Sequence, residues 1–106
     1  MAKYLVIASY TTEGIRGVKA SGGTARREAV EKMVATLGGR VEGFYFGFGK
    51  EDAFVLLDLP DNTTAAALGL AVGASGAAST RTIVLLTPEE IDKAASAGVD
   101  YRPPGK

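Results

Sequence analysis

Tyr10, Thr11, Arg16, Lys19, Tyr45 and Asp52 are the side chains of this 106-residue sequence best suited to hold a small molecule or act on one. Tyr10 and Thr11 end a first apolar run. Arg16 and Lys19 follow in a glycine-rich connector, Tyr45 lies within a second apolar run, and Asp52 sits at the turn after it. Arg16 and Lys19 can hold a carboxylate or an enolate, either tyrosine can donate a hydrogen bond, and Asp52 can serve as a base once partly desolvated. The same residues also have a purely structural assignment, with Asp52 capping the turn, the tyrosines packed in a core or interface, and Arg16 and Lys19 solvated. No fixed spacing ties the six together, so residue type alone leaves both assignments open and no catalytic residue is assigned.

Other polar features carry less chemistry. Asp58 interrupts an otherwise apolar run, where an unpaired carboxylate would be costly, so it is expected to meet Arg81, Arg40 or a partner chain. The segment Gly22-Gly23-Thr24-Ala25-Arg26-Arg27-Glu28 places glycines and two cations before a helix, as a phosphate site would. It lacks the spacing of either nucleotide-binding glycine motif, and a loop entering an amphipathic helix explains it equally well. The chain has neither cysteine nor histidine. That removes the thiolate nucleophile, the commonest general base and the usual transition-metal and haem ligand. Only oxygen ligands remain for a metal, and no carboxylates are spaced to provide them. No cofactor and no metal are therefore expected. Twelve basic residues balance twelve acidic ones, so no net field favours nucleic acid or an anionic membrane. The N-terminal apolar run is too short for a transmembrane span and lacks a cleavage signal, which makes the cytoplasm the default location.

The elements that must position these residues centre on Arg40 to Pro60. This stretch reads as two strands joined by a tight turn at Gly49 to Asp52, the first carrying Phe44, Tyr45, Phe46 and Phe48 and the second running apolar from Ala53 to Leu59. A strand that is apolar throughout is covered on both faces. Lys3 to Tyr10 is a further strand, with Leu5, Ile7 and Ser9 on one side and Tyr4, Val6, Ala8 and Tyr10 on the other. The four glycines of the following connector, through Gly23, suit a helical turn or an irregular loop. Thr24 to Leu37 is an amphipathic helix with Ala25, Ala29, Val30, Met33, Val34 and Leu37 inward, stopped by Gly38-Gly39. A second helix starts after Asp61 as N-cap, with Ala65, Leu68, Ala71 and Val72 inward and Gly69 and Gly73 forming a smooth side for a close neighbour. Thr80 to Leu86 is the fourth strand. Thr87-Pro88-Glu89-Glu90 is a capping box with proline at N1, opening a short helix to about Ala97 that Gly98 ends.

The order strand-helix-strand-strand-helix-strand predicts an α+β fold, the ferredoxin-like βαββαβ sandwich with a short C-terminal helix appended. One domain fits a chain of this length, from residue 1 to 98, with an extended tail from 99 to 106. Two helices cover one face of the sheet, and little remains to cover the other although all four strands are apolar on both sides. Self-association through that face follows, as a dimer or higher homo-oligomer.

Three blocks, YLVIASYTTEGIRGVKAS, LGGRVEGFYFGFGKEDAFVLLDLPD and TRTIVLLTPEEI, resemble the GYD domain family of small bacterial proteins. The resemblance implies the dimeric α/β-barrel type of the ferredoxin-like fold. The family's Gly-Tyr-Asp motif aligns with the hairpin turn, where Gly49 and Asp52 match and Glu51 replaces the aromatic. Relatives within the wider fold include cofactor-free oxygenases, lactone isomerases and haem-degrading enzymes, with substrate held between sheet and helices or near the dimer interface. Three functions fit this background. One is an oligomeric small-molecule-binding module, one a cofactor-independent isomerase or monooxygenase acting on an enolisable or aromatic substrate, and one a purely structural homo-oligomer.

Overall fold

The computed structural model describes all 106 residues. Four strands, β1 (Ala2–Tyr10), β2 (Arg40–Phe46), β3 (Ala53–Leu59) and β4 (Ala78–Leu85), form one sheet in the order β2-β3-β1-β4. Every neighbouring pair is antiparallel. With helices between β1 and β2 and between β3 and β4, this is the ferredoxin-like arrangement that the element order predicts.

One face of the sheet is covered. Tyr4 and Val6 of β1 and Val55, Leu57 and Leu59 of β3 pack against α2 (Gly23–Thr36) through Val30 and Val34, and against α3 (Asn62–Ala74) through Ala65 and Leu68. The alternation of β1 and β3 places these residues on one side. On the reverse side, register stacks two rows across the strands: Tyr45, Phe54, Ile7 and Arg81, then Leu56, Leu5 and Ile83. No helix of the chain lies over that second face. Only 14 of 106 residues are buried, because a sheet covered once supplies half a core.

Two loops differ from the sequence expectation. The connector after β1 is a full helix, α1 (Thr12–Ser21), rather than a turn or loop. Thr11 caps it, accepting the Gly14 N–H on its hydroxyl, Glu13 sits in the first turn and Lys19 in the last. Gly22, at φ 86°, ends α1 and admits the sharp change of direction into α2. In the hairpin, β2 stops at Phe46, and residues 47 to 52 form a wider loop closed by the Gly47 N–H donating to the Asp52 carbonyl. Phe48 lies in that loop, fully exposed, not in the strand.

Within α3, Ala65 and Leu68 are buried and Val72 is partly so, whereas Ala71 faces outward. The close packing expected at Gly69 and Gly73 is absent. A methyl at Gly69 would meet only the Thr80 hydroxyl at 3.7 Å, and one at Gly73 would meet nothing.

The capping box at Thr87 and Glu90 forms as expected and opens α4 (Pro88–Ser96). No residue from 88 to the end is buried. This C-terminal arm stands away from the sandwich and stretches the chain to 55 Å, with a radius of gyration of 16.8 Å. A compact chain of this length would have about 13 Å. No helix is long and apolar enough to cross a membrane.

Candidate functional site

The candidate site lies where β1 ends. Tyr10 closes the strand, and its backbone N–H donates to Asp52 Oδ2 at 2.8 Å. Asp52 in turn donates its own N–H to the Ala8 carbonyl at 2.9 Å, so the β2–β3 loop is stitched to the end of β1. On the other side, the Thr11 N–H donates to the Ala77 carbonyl at 2.9 Å and the Thr11 hydroxyl to the Gly76 carbonyl at 2.9 Å. The α3–β4 loop is thereby fixed against the start of α1. Gly14 completes this joint, since a side chain there would overlap the Ala77 carbonyl oxygen and press on the Tyr10 ring.

The Tyr10 ring forms a wall between two spaces. Inside lies a small apolar chamber of about 40 Å³ between sheet and helices, bounded among others by Val30, Met33, Phe44, Val55 and Leu68. Outside lies a groove of about 350 Å³ between α1 and α2, lined by Glu13, Gly17, Val18, Ser21 and Ala29. Tyr10 and Arg26 border both. The Arg26 guanidinium stands 6.0 Å above the Tyr10 ring centroid, within range of a cation–π attraction. Its Nε is shut off from water and has no hydrogen-bond partner.

The six residues singled out from sequence are distributed around this point unevenly. Tyr10, Thr11 and Asp52 come together, although Thr11 and Asp52 are engaged in backbone hydrogen bonds. Arg16 and Lys19 sit on exposed positions of α1 and do not line the groove. Tyr45 pairs with Phe54 on the reverse face of the sheet, 67% exposed. Arg26 and Glu13 line the groove but were not among the six. A signal for Arg26 existed: it falls in the first turn of a helix, the end that disfavours cations.

A second polar cluster occupies the reverse face. Asp58, 6% exposed, accepts from Arg40 at 2.7 Å and Lys3 at 3.0 Å, and Glu42 accepts from the same two at 3.3 and 2.6 Å. Arg40 was an expected partner for Asp58; Lys3 and Glu42 were not. Arg81 pairs instead with Glu51, at 2.9 Å. Glu42 reaches the cluster because a register shift between Val41 and Gly43 leaves it as an extra residue, a β-bulge that residue types do not announce. The Arg40 and Lys3 hydrogen bonds hold the Asp58 carboxyl below its ordinary pKa, while Glu42 and then Asp58 raise that of Lys3. The Arg81 hydrogen bond likewise lowers Glu51. No three carboxylates converge as a metal site would require.

The sequence profile of the GYD domain matches residues 4–95, nearly the whole sandwich and most of α4. The chain belongs to the GYD domain family. No curated protein and no solved structure matches it. In this GYD domain the Glu51 carboxylate binds Arg81 across the sheet's reverse face. Its neighbour Asp52 is the residue that fixes the Tyr10 backbone.

Proposed function

We propose that this GYD domain is a homo-oligomeric small-molecule-binding module, with copies joined through the open sheet faces and a ligand held in the groove at Tyr10 and Arg26. The observation that carries the binding half is the meeting of a 350 Å³ groove with an apolar chamber at one aromatic and one cationic side chain. A concave, mostly apolar space with a few convergent polar groups is the usual form of a ligand site. Binding is favoured over catalysis because Asp52, the candidate base, is spent on the Tyr10 amide, and the chain has no histidine to replace it.

The assembly half is supported by surface area. The chain exposes 7283 Å², whereas a compact monomer of 10.9 kDa would expose about 5,600 Å². The surplus of roughly 1,700 Å² per chain is shared between the C-terminal arm and the open sheet face, and the sheet face's share is what a permanent interface would remove. Ile83, Leu5, Leu56 and Phe54 on the open face offer apolar area for a self-complementary contact, and twofold pairing is the commonest arrangement of this kind.

Native mass spectrometry of the purified protein tests both halves. The expected spectrum is an even-numbered oligomer that retains a small adduct or takes one up from a metabolite mixture. A clean monomer would overturn the assembly, and an oligomer that takes up nothing would leave a purely structural role.

A further inference from the structure

Resting on the groove being a ligand site, we infer that its ligand is a small monocarboxylate with an apolar body, anchored by Arg26. Two cationic side chains of the chain are withdrawn from full exposure, Lys3 and Arg26. Lys3 has two carboxylate partners. Arg26 makes no ion pair, and its buried Nε makes no hydrogen bond. A half-buried cation with an orphaned donor is costly, and an anion supplied from outside relieves that cost.

The local helix chemistry points the same way. Arg26 lies in the first turn of α2, where the helix dipole opposes it, and that turn holds no acidic residue and no side-chain cap. Inside the chain only the Tyr10 ring, 6.0 Å away, offsets this, and sites at which local rules are broken with so little compensation are where function is expected. A carboxylate on Arg26 would satisfy the guanidinium fork in two places, as this side chain's planar donors allow.

The linings set the rest of the ligand. Arg26 is the one cation bordering either space, so a dianion would be only half neutralised. Glu13 on the groove wall repels a second negative charge. Val18, Ala25, Ala29 and the Tyr10 ring favour an apolar body, an aryl or branched-chain group. The inner chamber has room for about a methyl group or a ring edge beyond the Tyr10 wall. A phosphate ester fits neither the single cation nor the apolar lining.

The test is ligand-observed NMR on the full chain at neutral pH, with benzoate, phenylacetate and isovalerate as probes. Benzamide serves as neutral isostere, phthalate as dianion and inorganic phosphate as a bare anion. At least one monocarboxylate is expected to bind, with benzamide and phthalate weaker by roughly tenfold or more. Arg26→Gln keeps the side chain's stem and is expected to weaken that carboxylate by roughly ten- to a hundredfold without lowering the melting temperature. Gly17→Val, placed in open space on the groove wall, is expected to block the same probe while leaving Arg26 in place. If benzamide binds as well as benzoate, or Arg26→Gln binds carboxylates undiminished, the ligand class is wrong but the groove still binds. If no probe of any charge binds, both this inference and the binding function fall.

Discussion

The backbone of Tyr10 and the carboxylate of Asp52 are joined by a 2.8 Å hydrogen bond across the gap between β1 and the β2–β3 loop. A loop residue thus fixes the strand end that carries the groove's aromatic wall. Removing the acceptor leaves the Tyr10 N–H without its partner, so Asp52→Ala is expected to destabilise the protein by about 2 kcal/mol, and Asp52→Asn, which keeps an acceptor oxygen, by about half as much. Urea unfolding measures both. Equal losses for the two variants would show that the hydrogen bond is not what Asp52 contributes.

Two glycines of α1 should respond oppositely to the same change. Gly14→Ala drives a methyl into the Ala77 carbonyl, which is held in place by Thr11, and is expected to cost about 2 kcal/mol or more. Gly17→Ala adds a methyl in open space within a helix and is expected to stabilise by about 0.5–1 kcal/mol. Thermal unfolding of the pair against the parent decides it, and two changes of the same sign would contradict the packing described for Gly14.

Asp58 predicts an acid limb in the stability profile. Arg40 first, and Lys3 second, lower its folded pKa below the ordinary carboxylate value. The unfolded chain therefore takes up the proton more readily than the folded one. The stabilisation is fully present above the unfolded value, near pH 4, and is lost as pH falls from there through the folded pKa. Asp58→Asn should flatten the profile in that window and cost about 2 kcal/mol at pH 7, since it leaves Arg40 and Lys3 with Glu42 alone. Denaturant melts from pH 7 down to 2 check the difference, and a variant profile parallel to the parent's would refute it.

Ile83, 37% exposed and aligned with Leu5 and Leu56 on the open face, is where a charge should separate copies without harming the core. If copies join through this face as proposed, Ile83→Asp is expected to leave a monomer while the far-ultraviolet circular dichroism stays unchanged. Multi-angle light scattering gives the mass. An oligomer of unchanged mass and affinity would move the interface elsewhere on the chain.

Much of this architecture is legible in the sequence because local and long-range signals agree. The unbroken apolar run of β3, the alternation of β1 and the Thr87–Glu90 box each have one sensible reading, and the topology follows from their order. Where the signals conflict, residue types mislead. Gly14 and Gly17 weaken the helical pattern of α1, although Gly14 is there for contact with Ala77 and Thr11 supplies the cap. Phe48 has the composition of a strand but lies beyond the last ladder bond of the hairpin. Glu42 joins the Asp58 cluster through a bulge, which is a property of register between two strands and not of either alone. The groove was least legible of all. Its walls come from the end of β1, two helices and the loop at Ala77, and Arg26 is marked only by standing at the wrong end of its helix.

The C-terminal arm has a practical consequence for anyone handling the protein. A particle of 55 × 33 × 23 Å drags more solvent than a sphere of its mass. A free protomer should therefore leave a sizing column early and sediment slowly, with a frictional ratio above that of a compact 10.9 kDa protein. Digestion within residues 97–106, where the backbone is exposed and belongs to no helix or strand, should bring its elution back toward the compact value.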